Sequence, residues 1–264
     1  MKTTKILCIG NSFSEDATTL LNPMLTSYGI DSLVVNLFIG GCSLEQHWEN
    51  IEHAKKEYLY MKNGVGIYPG NPHGRMVSIN EMILEEDWDV IVIQQSSILS
   101  GKVDSFFPDI ELIVDFIKKQ MKNTSKLYLH QPWSWESTFK WESKFEGENL
   151  FKLYYENKDD VMFRKIKDAY SKVSQQLILP IIPSGDLIHF LRSFPEFDFL
   201  KEGISLCRDG LHMDEILGRY ALSSLWASYL FNLDLKENMF YPSNITIAQK
   251  DIIDKIRKLC VLFL

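Results

Sequence analysis

The sequence of 264 residues lacks any apolar run that approaches the length of a membrane-spanning helix. It also lacks the abrupt change of composition that would mark a boundary between two domains. A chain of this length is long enough to bury one large hydrophobic core. We therefore predict a single domain over residues 1–264, and we expect no membrane partner.

Positive charge is not in surplus. The chain has 28 Lys and Arg residues against 35 Asp and Glu residues, for a formal net charge of -7. A general nucleic-acid binder needs an excess of Lys and Arg on some face to neutralise phosphates. We expect no nucleic-acid partner. The charges are well mixed along the sequence, so they indicate no particular partner and leave the oligomeric state open.

Cysteine is scarce, and its spacing excludes a metal site or a disulfide scaffold. The four cysteines are Cys8, Cys42, Cys207 and Cys260. Cys8 sits in an apolar run typical of a buried strand, so we expect reduced and packed thiols. The histidines also lack metal-ligand spacing. The sequence indicates neither a metal nor an organic cofactor.

No signal peptide is visible before the first apolar run. That run begins within five residues of the start, which leaves no room for a charged region, an apolar region and a cleavage site. We therefore expect a cytoplasmic location for the chain as given. A chain trimmed of an export signal would have the same appearance.

Short apolar runs alternate with longer amphipathic segments. The runs are apolar throughout, as is typical of parallel strands covered by helices on both faces. The predicted strands are Ile6–Ile9, Ser32–Phe38, Val90–Ile93, Leu127–His130 and Ile181–Pro183. The predicted helices are Asp16–Tyr28, Leu44–Tyr60, Ile79–Glu86, Ile110–Lys122, Val161–Leu177, Asp214–Phe231 and Thr246–Leu262. This βαβ series predicts an α/β fold, a three-layer sandwich around a five-stranded parallel sheet.

Two segments interrupt the series and are predicted to be loop insertions. One is Gly64–Gly74, which is rich in Gly and Pro, and the other is His130–Asp160, which is rich in aromatic and charged residues. We interpret the second, at about residues 131–160, as a flap, and the sequence leaves open whether this flap covers the functional site or packs elsewhere.

Small and polar residues follow the predicted strands. In an open parallel sheet, ligands bind beyond the carboxyl ends of the strands. Four strands are followed by the segments Asn11-Ser12, Gly40-Gly41-Cys42-Ser43, Gln94-Gln95-Ser96-Ser97 and Gln131-Pro132-Trp133. These segments share one edge of the sheet, which is where we expect the functional site.

Ser12 and the distant segment Asp209-Gly210-Leu211-His212 supply the residue types of a serine nucleophile. A serine hydroxyl needs a base to remove its proton, and a carboxylate holds a histidine ready for that role. We predict a triad of Ser12, His212 and Asp209. An oxyanion hole would use the backbone N–H groups of Ser12 and Gly41 and the side-chain amide of Gln94.

The same segments resemble the conserved blocks of the SGNH (GDSL-type) hydrolase superfamily. The run from Ile9 to Ser14 resembles the first block, Gly40-Gly41-Cys42-Ser43 the glycine block, and Asp209–His212 the final Asp-x-x-His block. Together with Gly218-Arg219-Tyr220, these segments resemble a branch of the superfamily that is catalogued as a domain of unknown function. The resemblance implies a flavodoxin-like sandwich with strand order 2-1-3-4-5, with Ser12 as nucleophile, His212 as base, Asp209 as its partner and Gly41 in the oxyanion hole.

The chain departs from the superfamily pattern at two places. Asn11 stands where the first block usually has Asp. Gln94-Gln95-Ser96-Ser97 stands where the third block usually has Gly-x-Asn-Asp. Acetylesterase-like branches place a Gln after this strand, so the resemblance favours Gln94 as the third oxyanion donor. Gln95 and Ser97 stay open as alternatives.

These observations predict a serine hydrolase that cleaves a small ester, most simply an O-acetyl ester, through an acyl-enzyme. Indole rings stack well on sugars, and Trp133 and Trp135 lie among charges that favour an exposed flap. A carbohydrate ester, contacted by Gln95, Trp133 and Trp135, is therefore a hypothesis. The alternatives are a decayed glycan-binding module, a flavodoxin-like FMN binder, and a thiol nucleophile at Cys42 or Cys207.

Overall fold

The structure, a computed structural model, describes residues 2–67, 76–138 and 146–264. The strands of this part are β1 (Thr4–Gly10), β2 (Ser32–Phe38), β3 (Tyr58–Lys62), β4 (Val65–Ile67), β5 (Met76–Val77), β6 (Val90–Ile93), β7 (Lys126–His130) and β8 (Ile181–Ile182). The helices are α1 (Ser12–Thr18), α2 (Leu21–Ser27), α3 (Leu44–Glu52), α4 (Ile79–Glu85), α5 (Asp109–Gln120), α6 (Glu146–Tyr155), α7 (Asp159–Leu177), α8 (Ser184–Arg192), α9 (Leu217–Phe231) and α10 (Ile247–Phe263).

The strands form one sheet with β1 at its centre. β1 pairs in parallel with β2 on one side and with β6 on the other, and β7 and β8 continue the parallel part. Counted along the chain, these five strands have the order 2-1-3-4-5. The prediction of a flavodoxin-like α/β sandwich is confirmed. β1 is fully buried from Ile6 to Gly10, because neighbouring strands and helices cover both its edges and both its faces.

An antiparallel extension lies beyond β2. β3 pairs antiparallel with β2, and β4 and β5 both pair with β3. The sequence predicted a helix over Leu44–Tyr60, which is wrong after Glu52, where α3 ends. β3 instead occupies the edge that β2 would otherwise leave unpaired, with Leu59 to Lys62 opposite β2. The aromatic and apolar residues of β3 suit a half-buried strand.

The predicted helix Asp16–Tyr28 consists of two helices, α1 and α2. Pro23 has no backbone N–H to donate to the carbonyl four residues earlier, so one continuous helix cannot run through this segment. α1 also begins earlier than predicted, at Ser12. The proposed nucleophile is thus the first residue of a helix.

Both predicted insertions contain regular structure. Within Gly64–Gly74 the structure forms β4, and residues 68–74 lie outside the described part of the chain. Within His130–Asp160 it forms α6, and residues 139–145 lie outside the described part. The chain also forms α8 directly after β8, a helix that the sequence analysis did not predict.

α9 ties the C-terminal part of the chain to the first helix. It is buried along most of its length and packs against α1, α2, α8 and α10. Because α1 begins at Ser12, this packing brings the residues before α9 close to the carboxyl end of β1. No helix within the described ranges is both long and apolar enough to cross a membrane.

Candidate active site

A sharp turn between β1 and α1 presents Ser12 at the sheet edge. Asn11 is the N-cap of α1, with extended backbone angles, and its side-chain oxygen accepts a hydrogen bond from the Phe13 N–H at 3.0 Å. Gly10 precedes it because a Cβ there would lie 2.5 Å from the Ser14 Oγ. The turn therefore exposes Ser12 while its flanking residues are fixed.

The segment Asp209–His212 forms a second tight turn that meets Ser12. Gly210 has a φ of +78°, a conformation that favours glycine. Asp209 Oδ1 accepts hydrogen bonds from the backbone N–H groups of Leu211 and His212, at 3.1 and 2.7 Å. These two hydrogen bonds hold the ends of the turn together, with the Asp209 carboxylate beside His212.

The three predicted triad residues are brought together by hydrogen bonds. His212 Nε2 lies 2.9 Å from Ser12 Oγ, and His212 Nδ1 lies 2.6 Å from Asp209 Oδ2. A carboxylate can only accept, so Nδ1 carries the ring proton and Nε2 is the atom that accepts from the serine hydroxyl. This is the geometry in which a histidine takes a proton from serine.

Asp209 is held in its ionised form. Partial burial raises the pKa of this carboxyl, but the hydrogen bonds from the His212 ring and from the backbone N–H groups of His212 and Leu211 outweigh burial. The net effect lowers the pKa of Asp209 below its usual value. The negative charge that orients the histidine is therefore retained at neutral pH.

Asp16 anchors the histidine turn to the first helix, and the sequence analysis missed it. Its side chain is fully buried. Asp16 Oδ1 accepts from Arg208 Nη1 at 3.0 Å and from Arg219 Nε at 2.8 Å, and Oδ2 accepts from the Met213 N–H at 2.8 Å. The spacing could have revealed it, because Asp16 lies one helical turn after Ser12 on the same face of α1.

The glycine segment lies beside Ser12, as predicted. Gly40 and Gly41 line the same cleft as Ser12, and Gly41 has a φ of +66°. Asn11 Nδ2 donates to the Cys42 carbonyl at 3.1 Å, which links the glycine turn to the nucleophile turn. The Ser12 N–H, at the first position of a helix, has no acceptor within that helix. Both turns therefore border the same cleft.

The expected donor role of Gln94 needs correction. Its side chain is buried and does not line the cleft. Gln94 Nε2 donates to Asn11 Oδ1 at 2.6 Å, and Gln94 Oε1 contacts His130 Nδ1. Because its amide is directed at Asn11, Gln94 supports the turn from below instead of facing a substrate.

Gln95, expected to contact substrate, is also engaged elsewhere. Its Oε1 accepts from the N–H groups of Leu44 and Ser96, at 3.0 and 2.8 Å, and its Nε2 donates to the Ser105 carbonyl at 2.7 Å. It is buried and does not line the cleft, so the prediction of a substrate contact is wrong. Its contacts instead join three loops of the sheet edge.

The two tryptophans that we expected in an exposed flap are both buried. Trp133 stacks on Phe13 with ring centroids 4.3 Å apart, and its Nε1 donates to the Leu211 carbonyl at 2.7 Å. It therefore supports the histidine turn and does not line the cleft. Trp135 does line the cleft, and its Nε1 donates to Ser97 Oγ at 3.1 Å.

A cleft of about 630 Å³ opens above Ser12 and His212. Its walls are mainly apolar, with Glu15 and Arg208 as charged members. The lining residues are Asn11, Ser12, Phe13, Glu15, Phe38, Gly40, Gly41, Ser96, Ser97, Ile98, Trp135, Gly147, Leu150, Arg208, Leu211 and His212. The contribution of Gly147 and Leu150 shows that the His130–Asp160 segment borders the cleft.

The structure offers no support for a thiol nucleophile or a metal centre in the described ranges. Cys42 and Cys207 are buried, and burial raises the pKa of the Cys42 thiol to about 12, so it stays protonated at neutral pH. The described residues contain no cluster of three or more His, Cys, Asp or Glu side chains placed to hold a metal ion. Ser12, in contrast, lines the cleft and contacts His212.

This fold occurs in solved SGNH-type proteins. The structure superposes on a candidate SGNH hydrolase from Slackia heliotrinireducens with a TM-score of 0.57, at 13% identity, over 87% of this chain and 100% of that one. It superposes on the acetyl xylan esterase AlAXEase with a TM-score of 0.55, at 14% identity, over 86% of this chain and 100% of that one. The molecule therefore has the fold of the SGNH hydrolases.

The sequence places the chain in one family. The family model described as "Domain of unknown function (DUF4886)" matches residues 5–256. A DUF4886 family protein from Bacteroides uniformis has 31% identity over 99% of this chain and 96% of that one, with a TM-score of 0.82. The chain belongs to the DUF4886 family. No curated protein has a matching sequence.

Proposed function

We propose that the protein is a serine hydrolase that cleaves a small carboxylic ester through an acyl-enzyme. The observation that carries this proposal is the continuous pair of hydrogen bonds from Ser12 Oγ to His212 Nε2 and from His212 Nδ1 to Asp209 Oδ2, at 2.9 and 2.6 Å. Nothing in this geometry favours a decayed binding module, because His212 contacts both Ser12 and Asp209.

The first half of the reaction acylates Ser12. His212 Nε2 takes the proton as Ser12 Oγ attacks the ester carbonyl, and Asp209 stabilises the imidazolium that forms. The tetrahedral intermediate collapses when His212 returns the proton to the alcohol oxygen, which leaves. In the second half, His212 activates water, which attacks the acyl group and releases the acid. This route requires no cofactor.

The oxyanion hole combines two backbone groups and one side chain. The N–H groups of Ser12 and Gly41 supply the first two donors. Ser97 is our choice for the third, because it lines the cleft while the amides of Gln94 and Gln95 are engaged elsewhere. Ser97 Oγ accepts from Trp135 Nε1, which leaves its own hydrogen available to donate.

An O-acetyl ester of a carbohydrate is the substrate class that we propose first. Trp135 gives the cleft one indole against which a sugar ring could rest. Trp133, the second indole expected in this role, does not line the cleft. The acyl group would meet the apolar wall formed by Ile98 and Leu150.

Fluorophosphonate labelling tests the mechanism. We expect modification at Ser12 and at no other serine, together with hydrolysis of p-nitrophenyl acetate. Ser12→Ala should abolish labelling and reduce kcat by about 10³-fold or more. Tyr241→Phe, remote from the cleft, serves as the matched control. Labelling of the folded protein at another residue, or full activity in Ser12→Ala, would contradict the proposal. A panel of acetylated sugars then tests the substrate class.

A further inference from the structure

A buried row of polar side chains runs beneath the nucleophile turn. Trp226 Nε1 lies 3.1 Å from Ser184 Oγ, and Ser184 Oγ lies 2.9 Å from His130 Nε2. His130 Nδ1 contacts Gln94 Oε1, and Gln94 Nε2 lies 2.6 Å from Asn11 Oδ1. All five side chains are buried. The row connects α9, α8, β7 and the end of β6 to the residue before Ser12.

The hydrogen bonds of this row all point in one direction. At one end, the Phe13 N–H donates to Asn11 Oδ1, so that oxygen must also accept from the Gln94 amide. Gln94 Oε1 is then the acceptor that faces His130, which puts the ring proton on Nδ1. At the other end, Trp226 Nε1 can only donate, so the Ser184 hydroxyl passes its own hydrogen to His130 Nε2. Each group donates once toward Asn11.

The row requires a neutral His130, and its surroundings provide one. Complete burial lowers the pKa of His130 to about 3. A protonated ring would present a hydrogen on Nε2 to the Ser184 hydroxyl and reverse that bond. The neutral ring with its proton on Nδ1 is the form that completes the row.

The row ends on Asn11, which bridges the two turns of the oxyanion hole. Asn11 Oδ1 holds the Phe13 N–H directly after Ser12, and Asn11 Nδ2 holds the Cys42 carbonyl directly after Gly41. A rotation of this amide would release both turns together. The Asn11 side chain therefore links the two segments that carry the Ser12 and Gly41 N–H groups.

We propose that Gln94 and His130 are positioning residues of the reaction. Through the row of hydrogen bonds they fix the orientation of the Asn11 amide. Asn11 in turn holds the N–H groups of Ser12 and Gly41 at the spacing that the oxyanion requires. This inference rests on the proposed hydrolase function, because it concerns the same oxyanion. Neither residue contacts the cleft, so both act on kcat through Asn11.

Steady-state kinetics with p-nitrophenyl acetate, labelling by fluorophosphonate and thermal unfolding together test the proposal. Gln94→Met keeps the length of the side chain and removes both hydrogen bonds. His130→Leu removes the donor to Gln94, whereas His130→Asn keeps an N–H at the position of Nδ1. Ser125→Ala is the matched control, because Ser125 Oγ makes a buried hydrogen bond to the Trp88 carbonyl at the opposite end of the sheet.

We expect Gln94→Met and His130→Leu each to lower kcat by about 10- to 100-fold, with KM changed by less than about threefold, since displaced donors weaken transition-state binding. His130→Asn should recover most of the loss. The double variant should be no slower than Gln94→Met alone, because both changes interrupt the same row. Ser125→Ala should lower Tm and leave kcat unchanged.

The results separate this inference from the proposed function. If the wild type is labelled at Ser12 and hydrolyses the ester, but Gln94→Met and His130→Leu lose only Tm, the positioning role is wrong and the hydrolase function stands. If the wild type is neither labelled nor active, both fail. Should Gln94→Met not fold, His130→Leu decides, because it removes the ring donor to Gln94 and leaves the Gln94 side chain unchanged. Full kcat in that variant would overturn the proposal.

Discussion

At the scale of single residues, the two departures from the superfamily pattern are partners. Asn11 stands where the pattern has Asp, and Gln94 opens the segment that stands where the pattern has Gly-x-Asn-Asp. A hydrogen bond of 2.6 Å joins the two side chains. An aspartate at position 11 could not donate to the Cys42 carbonyl, whereas the asparagine does. Asn11 thus accepts from Gln94 and donates to the Cys42 carbonyl, whereas an aspartate could do only the first.

The sequence predicted which residue types meet at the site, but not where each side chain points. Ser12, His212 and Asp209 follow from chemistry that few residue types can perform. Gln94 and Gln95 are adjacent and point to different surroundings, since successive side chains at a strand end alternate. Their partners, Asn11 and Leu44, come from distant segments, and no local pattern reveals them.

Ser97→Ala tests the third oxyanion donor. We expect kcat to fall by about 10²-fold with little change in KM, because the hydroxyl would contact the oxyanion in the transition state only. Steady-state kinetics on an aryl acetate measures both constants. Ser97→Thr keeps the hydroxyl and should retain most of the activity. Equal kcat values for wild type and Ser97→Ala would assign the third donor elsewhere.

At the scale of elements, the histidine turn depends on α1 as much as on its own residues. Asp16 on α1 binds Arg208, which precedes His212 in the chain, and Arg219, which follows it. It also accepts from the N–H of Met213, the residue directly after His212. Trp133, in the loop after β7, supports the same turn by donating a hydrogen bond to the Leu211 carbonyl. His212 is thus held in place by Asp16 and Trp133, two side chains that lie outside the proposed triad.

Asp16→Asn should destabilise the protein and displace His212. The change places an amide N–H against groups that already donate, and it leaves two guanidinium groups without their shared carboxylate. We expect a loss of about 3 kcal/mol, or about 6–12 °C in Tm, with lower kcat in the folded variant. Calorimetry and ester hydrolysis measure these effects.

The control for this change is Asp168→Asn, which removes an exposed carboxylate from its pair with Lys172 on α7. Such a surface pair contributes about 0–1 kcal/mol. A Tm for Asp16→Asn equal to that of the control would show that the buried ion pairs do not hold the turn.

Element boundaries were predicted well where the signal is local and poorly where it is not. α10 begins one residue after Thr246, whose side chain and Gln249 form a reciprocal cap that the sequence displays. β3, in contrast, was predicted as part of a helix. Its strand conformation depends on the free edge of β2, a partner that is distant in sequence.

At the scale of the whole molecule, one acid at the cleft makes stability depend on pH. Desolvation raises the pKa of Glu15 above its usual value, although Arg219 opposes the shift. When pH rises above about 4.3, the unfolded chain loses this proton first. Ionisation then favours the unfolded state until pH passes the higher folded pKa, so Glu15 lowers stability at neutral pH.

Glu15→Gln should therefore raise Tm relative to the wild type by more at pH 7 than at pH 4, where the carboxyl is largely protonated in both states. Thermal unfolding at the two pH values measures the difference. Asp115→Asn on α5, an exposed position, controls for the change in net charge. A gain that is the same at both pH values would contradict the assigned direction.

The distance along the chain between Ser12 and His212, 200 residues, also has a consequence for synthesis. Ser12 is made before His212 and follows the strand at the centre of the sheet, whereas His212 follows β8 and α8. A growing chain therefore lacks the contact between Ser12 and His212 until the segment Asp209–His212 has been made. If the proposed function is right, we expect a chain that ends before Asp209 to hydrolyse no ester.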